Sequence, residues 1–454
     1  LMDKKSKTIS RRKFFQVGSL ALAGSTLSYS NSRALNSQQA ENEETIKIKE
    51  YRTLGRTGFK ASDISMGCIG ITEPNVVRYV YDHGVNYFDT AEGYGNGDSE
   101  KKIGEAMQFM DRKKIFITTK LVIRDNDTEE TILDRFSKCQ ERLKTDYVDC
   151  LYMHSVKTVE WFDNPHFHSA TKKLKSEGRL KHIGISSHGP RSDDQDSMEK
   201  VLCAAAEDGR FDLMLLVYNF MNKEAGEKIL AACKKNNVGT SAMKTAPGVI
   251  KAEIFDPKNP SKDAEDYIER VAKRGVSRED ALKRLERWAK EQQEDEIKTK
   301  PFLEKHAIKT EDQLFKSSIQ WVLNNKDMQT VCIAMRDYDL CDKVIPLSGT
   351  KLSHSNSDFL KDYGKVFNNR YCRQACNECN SKCPYSLPVS TIMRYAYYYE
   401  YQGHQKFAMQ RYSKLNGKDA SLCESCNAEC ANACPHNVNI QASLVKAHSM
   451  LTMV

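Results

Sequence analysis

Short apolar runs rich in β-branched residues recur at 64–69, 85–89, 115–121, 148–154, 182–186, 213–218, 238–243 and 330–335. They are continuous rather than alternating, so each reads as a strand buried on both faces. Between them, stretches such as 130–143, 170–177, 198–207 and 225–235 carry apolar residues at helical spacing. Eight strand–helix units over about 300 residues predict an α/β fold, a closed (β/α)8 TIM barrel. An open doubly wound sheet would need a glycine-rich dinucleotide turn after its first strand, and Gly67-Cys68-Ile69-Gly70 is no such turn.

The rhythm breaks twice. Residues of about 250–310 are densely charged, with helical spacing at Tyr267 and Val271 and again at Ala281, Leu285 and Trp288. This insertion follows the seventh strand, on the face where barrels keep their active sites. It suits a lid, a partner-docking surface or a solvated helical pair. A Ser/His/Asn-rich stretch at 348–357 then ends the barrel. Residues 371–454 form a second, smaller and mainly helical unit. The barrel itself is expected over 45–348.

Composition narrows the class. The chain has 454 residues, 40% hydrophobic and 29% charged, with a formal net charge of +8. No basic stripe interleaved with aromatics points to nucleic acid. Mean hydropathy is −0.62 and no run reaches the length of a membrane span. The N-terminus reads Ser10-Arg11-Arg12-Lys13-Phe14-Phe15, then a mildly apolar 17–27, then Ser32-Arg33-Ala34. A charged start, a short apolar middle and a small-residue end describe a signal peptide over 1–34. The paired arginines resemble the twin-arginine signal for folded proteins, which implies a periplasmic or otherwise exported protein.

Candidate chemistry gathers at the ends of successive strands. Asp89, Tyr94, Lys120 and His154 follow the second, third and fourth runs. Lys120 beside Tyr94 is expected to lower the phenol's pKa, with Asp89 holding Lys120 in place. Tyr94 would then give a proton to a developing alkoxide or take it back, and His154 would polarise a carbonyl oxygen. Such a site interconverts a carbonyl and an alcohol.

The stretches YRTLGRTGFKASDISMGCIG (51–70), GVNYFDTAEGYGNGDSEKKIGEAM (84–107), IFITTKL (115–121), DYVDCLYMHSV (146–156) and GRLKHIGISSHG (178–189) resemble the aldo/keto reductase family. The resemblance implies a TIM barrel, NADPH-dependent carbonyl reduction and a tetrad at Asp89, Tyr94, Lys120 and His154. It also implies cofactor positions at Ser186, Ser187, Met243 and Arg336. Ser187 stands where the family usually has asparagine, Leu215 where a glutamine binds the nicotinamide amide, and Met243 where an aromatic ring stacks. Lys343-Val344 replaces the family's adenine-contacting Glu-Asn pair.

Eight of the 15 cysteines lie in two runs. Cys372, Cys376, Cys379 and Cys383 are spaced C-x3-C-x2-C-x3-C-P, and Cys423, Cys426, Cys430 and Cys434 are spaced C-x2-C-x3-C-x3-C-P. Each departs by one inserted residue from the ferredoxin run C-x2-C-x2-C-x3-C-P, whose last cysteine serves the other cluster. Two [4Fe–4S] clusters are therefore expected, against zinc, which takes paired C-x2-C ligands. Crossed ligation would give Cys372, Cys376, Cys379 and Cys434 to one cluster. Cys423, Cys426, Cys430 and Cys383 would hold the other. The family also has members with such a C-terminal ferredoxin-like iron–sulfur domain, and the chain resembles them.

Together these features predict an exported oxidoreductase for a small-molecule carbonyl or alcohol, with a redox partner protein, two clusters and NADP(H). The alternative is a non-catalytic electron-transfer subunit on a degenerate barrel.

Overall fold

The computed structural model describes residues 46–192, 194–248, 258, 260, 262–272, 275–308 and 312–452. The export signal at 1–34 lies outside the described residues. All of them but Ile46 belong to one compact unit, Lys47–Val454.

A short antiparallel hairpin, β1 (Tyr51–Thr53) and β2 (Lys60–Ser62), precedes the barrel. It turns through Gly55 at φ +43°, where a Cβ atom would stand 2.3 Å from the Gly239 nitrogen, so only glycine lets the hairpin close so near the barrel's lower rim. The barrel strands are β3 (Ile64–Gly67), β4 (Tyr87–Asp89), β5 (Phe116–Leu121), β6 (Val148–Met153), β7 (Leu180–Ser186), β8 (Leu213–Val217), β9 (Gly239–Met243) and β10 (Thr330–Ala334). They pair in parallel and close in the order β10-β3-β4-β5-β6-β7-β8-β9. All eight expected strands are present, within two residues of the expected bounds. The hairpin is an addition: three-residue strands show too little alternation to be read from a pattern.

Helices α1 (Pro74–Asp82), α2 (Asp98–Ala106), α3 (Glu129–Leu143), α4 (Val159–Phe162), α5 (Pro165–Ser176), α6 (Met198–Asp208) and α7 (Glu224–Lys235) accompany the first strands. Their apolar faces meet the outer side chains of the sheet, as in α3, which buries Ile132, Phe136, Cys139 and Leu143 at helical spacing. A Thr128–Thr131 capping box starts that helix just beyond β5.

The charged insertion is helical: α8 (Lys262–Ala272) and α9 (Arg278–Lys305). Val271, Ala281 and Leu285 meet in its own small core with Ile268; the side chains of Tyr267 and Trp288 lie outside the described residues. The end of α9 is anchored elsewhere. After α10 (Asp312–Asn324) and α11 (Tyr338–Val344) comes α12 (His354–Val366), whose Phe359 and Tyr363 pack with Phe302 of α9.

The C-terminal segment holds α13 (Val389–Tyr401), α14 (Gln405–Tyr412) and α15 (Ile440–Leu451), joined by cysteine-bearing loops and short 3-10 turns. It has its own apolar core, built on Val389, Ile392, Ala408, Leu444 and Ala447. Tyr395, Tyr398 and Tyr399 pack against that core. None of the described helices is long and apolar enough to cross a membrane.

Candidate active site and cysteine centres

The strand ends carry the tetrad. Asp89 closes β4, and Lys120 lies one residue from the end of β5; both are buried, at 3% and 0% exposure. They form a buried ion pair. The Thr118 hydroxyl donates to the second Asp89 oxygen at 2.9 Å, and Lys120 Nζ donates to the Thr90 carbonyl at 2.6 Å. These extra bonds make a buried pair tolerable, because each remaining polar atom finds a partner.

Tyr94 begins the 3-10 turn after β4, where Gly95, Asn96 and Gly97 all have positive φ. That tight turn brings the phenol ring over the Lys120 ammonium, which lies 5.0 Å from the ring centroid. His154 follows β6, its N–H bonded to the Leu121 carbonyl at 2.9 Å. Its ring meets the Tyr94 ring edge-on at 6.0 Å between centroids. The structure thus brings together all four residues expected from the sequence.

One electrostatic expectation is corrected. Burial pushes the Tyr94 phenol up to about 12, and the opposing pull of Lys120 does not overcome it. Burial also works against the Lys120 charge, but Asp89, with Tyr94 behind it, holds the ammonium above the ordinary lysine range. His154 is pushed down to about 3 by burial, then by Lys120 and Arg191. At neutral pH the site therefore holds a protonated phenol, a charged ammonium and a neutral imidazole. Tyr94 is a proton donor whose phenolate Lys120 would stabilise, and His154 can donate N–H to an oxyanion.

The expected cofactor positions line the other half of the mouth. Ser186 Oγ accepts from the Ser155 N–H at 3.0 Å. Ser187 Oγ donates to the Val156 carbonyl at 3.1 Å and accepts from the Gly189 N–H at 3.2 Å. Leu215 and Met243 are buried and apolar. Arg336, just past β10, lies against the His404 imidazole, with Nη1 and Nη2 at 3.2 and 2.5 Å from its nitrogens. Val344 is fully buried.

His404 belongs to the C-terminal segment, which docks on these same loops. Asn222 donates to the Gln374 carbonyl at 2.6 Å, Arg373 Nε to the Met221 carbonyl at 3.0 Å, and Asn380 to the Arg191 carbonyl at 3.3 Å. The Gly248 N–H donates to the Tyr397 hydroxyl at 3.1 Å. Gly189, at φ +77°, is so close that a Cβ there would stand 2.3 Å from that of Ala375. The segment therefore covers the loops after β7, β8, β9 and β10 and leaves the β4–β6 side uncovered by these contacts. A cleft of about 430 Å³ opens on that side, lined by Arg124, Asp125, Asn126, Lys157 and Trp161.

The cysteines group across the two runs. Cys372, Cys376 and Cys379 line one small cavity together with Cys434 of the second run. Cys423 is raised by burial and then by its neighbours Cys383, Cys430 and Cys426. Ala375 and Ala428, one in each run, take left-handed backbone at φ +67° and +60° to make these loops turn. None of the cysteines forms a disulfide. Among the described residues, no group of three or more His, Cys, Asp or Glu is placed to hold a metal ion.

Sequence reasoning missed His188, Arg191, Lys244 and Arg394, which meet between the barrel and the C-terminal segment. His188 and Lys244 left a trace, as the residues after Ser187 and Met243.

A model described as the aldo/keto reductase family matches residues 72–353. A probable aldo-keto reductase of Glycine max is 31% identical over 156 residues, which is 30% of this chain and 44% of that protein. D-threo-aldose 1-dehydrogenase of a Pseudomonas species is 27% identical over 220 residues, 40% of this chain and 59% of that protein. The chain spans about half the length of these curated relatives. Among solved structures, the holo form of an aldo-keto reductase from Bacillus halodurans aligns with a TM-score of 0.48 at 17% identity, over 69% of this chain and 95% of that one. The family match takes in more than half of the chain and contains seven of the eight barrel strands, β4 to β10, with all four tetrad residues; the chain belongs to the aldo/keto reductase family.

Proposed function

We propose that this chain is an exported oxidoreductase that interconverts a carbonyl and an alcohol at Asp89, Tyr94, Lys120 and His154, with electrons exchanged through two [4Fe–4S] clusters in its C-terminal segment. The observation that carries the proposal is the meeting of a protonated phenol, a charged lysine and a neutral imidazole at three adjacent strand ends.

The conversion of a carbonyl to an alcohol takes two electrons and two protons: one proton goes to oxygen, and carbon takes the electron pair with the other as a hydride equivalent, so a two-electron hydride carrier is required between single-electron clusters and the substrate carbon. Tyr94 supplies the proton to oxygen, Lys120 steadies the phenolate left behind, and Asp89 keeps Lys120 charged and fixed. The His154 N–H holds the carbonyl oxygen while negative charge builds on it. The substrate is a small carbonyl or alcohol. The name of one relative, an aldose dehydrogenase, fits a small carbonyl compound.

Two crossed sets support the clusters: Cys372, Cys376, Cys379 and Cys434, then Cys383, Cys423, Cys426 and Cys430. Each is the four-thiolate donor set of a [4Fe–4S] cluster. When bound, such clusters supply and accept single electrons, and a one-electron donor protein is the matching partner. The residues at the nicotinamide positions do not fit a dinucleotide laid across β7 to β10. Ser187 is spent on its own loop, Leu215 and Met243 offer no hydrogen bond, and Arg336 is held by His404. Export rests on the Arg11-Arg12 signal, which suits a protein that must leave the cytoplasm folded.

The test is Tyr94→Phe in iron-loaded protein. Carbonyl reduction should fall by about 10²- to 10⁴-fold, the range of general acid catalysis. Turnover that survives the change would sink the proposal.

A further inference from the structure

Between the barrel mouth and α13 lie Lys244, Arg191 and Arg394 with the His188 imidazole and, among the described residues, no acid; burial and the facing arginines push Lys244 well below the ordinary lysine range, and burial with its basic neighbours pushes His188 down as well. Lys244 follows β9 in left-handed backbone, φ +57°, a costly conformation for a lysine. Its carbonyl is fixed by Asn219 Nδ2 at 3.0 Å, and among the described residues its ammonium meets the neutral Gln374 side-chain oxygen, at 3.2 Å. The charges acting on Lys244 are Arg394 and Arg191, both positive. His188 is faced by Lys244, Arg191, His154 and Arg394. Arg191 is faced by Arg394 and Arg411, with the phenols of Tyr395 and Tyr398 beside it.

Two polar atoms here are buried without a partner: Arg394 Nε and His188 Nδ1. Arg394 is 7% exposed, so its guanidinium is withdrawn from solvent with that donor unmade. Buried donors without acceptors and cations facing cations both cost stability. A protein tolerates such an arrangement where an incoming anion relieves it.

The group is continuous with the tetrad. The His188 ring lies 6.2 Å from the His154 ring, which lies 6.0 Å from that of Tyr94. A substrate whose carbonyl sits at Tyr94 and His154 reaches the cations with a group a short chain away.

We propose that Arg394, Lys244, Arg191 and His188 form the binding subsite for a carboxylate on the substrate, so that the preferred substrates are oxo acids and their hydroxy-acid counterparts. The proposal rests on the carbonyl–alcohol reading of the tetrad and names its substrate class. Charge compensation of the first cysteine set is the competing role. The charges bearing on Cys372 are Cys376, Arg394, Cys434 and Arg373, so Arg394 faces both ways. Among the described residues, Lys244 is faced by Arg394 and Arg191 and by no cysteine, so it has no share in that role.

The experiment compares levulinate, an oxo acid, with its neutral methyl ester by calorimetry on the iron-loaded full chain. The acid should bind at least about tenfold more tightly, and Lys244→Met and Arg394→Met should each erase about that factor for the acid while leaving the ester unchanged. Equal affinity for acid and ester would overturn the proposal. So would a shifted iron–sulfur spectrum in Arg394→Met with levulinate binding intact in both variants, which would assign the cations to the thiolates. Inorganic phosphate whose binding is lost in Lys244→Met and Arg394→Met, yet which does not compete with levulinate, would also overturn it by assigning the subsite to a free anion. Tyr94→Phe separates the two readings: it should cut turnover by about 10²- to 10⁴-fold and leave the acid–ester difference in binding as it was. Turnover that persists in Tyr94→Phe, with the acid–ester difference intact, would remove the tetrad's role and not the subsite.

Discussion

On the β4–β6 side of the barrel mouth, buried charges come in opposite pairs. Asp89 holds Lys120, and Arg135 is held by Glu92 and Asp127. On the β7–β9 side, Lys244, Arg191 and Arg394 face one another with no acid among the described residues. The first half is built by the barrel alone, whereas the second takes Gln374 and Arg394 from the C-terminal segment. The contrast separates a half that is preorganised for proton transfer from a half that is completed by a ligand.

The strongest way to break this contrast is at Tyr94. Its replacement by phenylalanine should cost about 10²- to 10⁴-fold in turnover and leave the thermal midpoint unchanged, as read by steady-state kinetics and scanning calorimetry.

Next come the two lysines. Lys120→Met strands a buried Asp89 and should cost about 3–5 kcal/mol in denaturant unfolding. Lys244→Met removes a cation from among cations and should cost nothing or stabilise. Equal losses in the two variants would erase the distinction between the halves.

The crossed cysteine sets predict a pairing in the iron content. Cys372→Ser and Cys434→Ser should each remove about half of the iron, and the double variant no more than either alone. Adding Cys383→Ser to either should remove the rest.

A smaller effect concerns pH. The folded His154 titrates at about 3, far below the ordinary 6.5, because burial disfavours its charge. The unfolded chain therefore takes up that proton first. The stability due to neutral His154 is full above about 6.5 and is lost as pH falls toward 3. His154→Gln should flatten that part of the acid-unfolding profile. The smallest effect is expected from His404→Ala, which frees Arg336 at a cost of about 1 kcal/mol. Faster hydrogen exchange in the loop after β10 would reveal it.

Much of this was legible in the chain. The barrel strands are buried on both faces, so runs such as 213–217 announce themselves without alternation. The tetrad could be found because catalytic side chains follow strand ends, and strand ends can be counted. The raised Tyr94 phenol was not legible, because it depends on how much water the folded mouth excludes. Lys244 and Arg394 stand 150 positions apart, and only the docking of one segment on the other brings them together. The left-handed backbone at Lys244 has no residue signature either, since glycine or asparagine would be the usual choice there.

The account joins the tetrad to the cysteine-rich segment, and one measurement addresses that joint. Anaerobic, iron-loaded protein is reduced with dithionite, freed of excess reductant and given an oxo acid, while the iron–sulfur absorbance and the alcohol product are followed together. Alcohol should form as the oxidised spectrum returns in the wild type, and neither change should occur in Tyr94→Phe. Alcohol made from NADPH by protein stripped of its iron, with no product from the reduced holoprotein, would contradict the account.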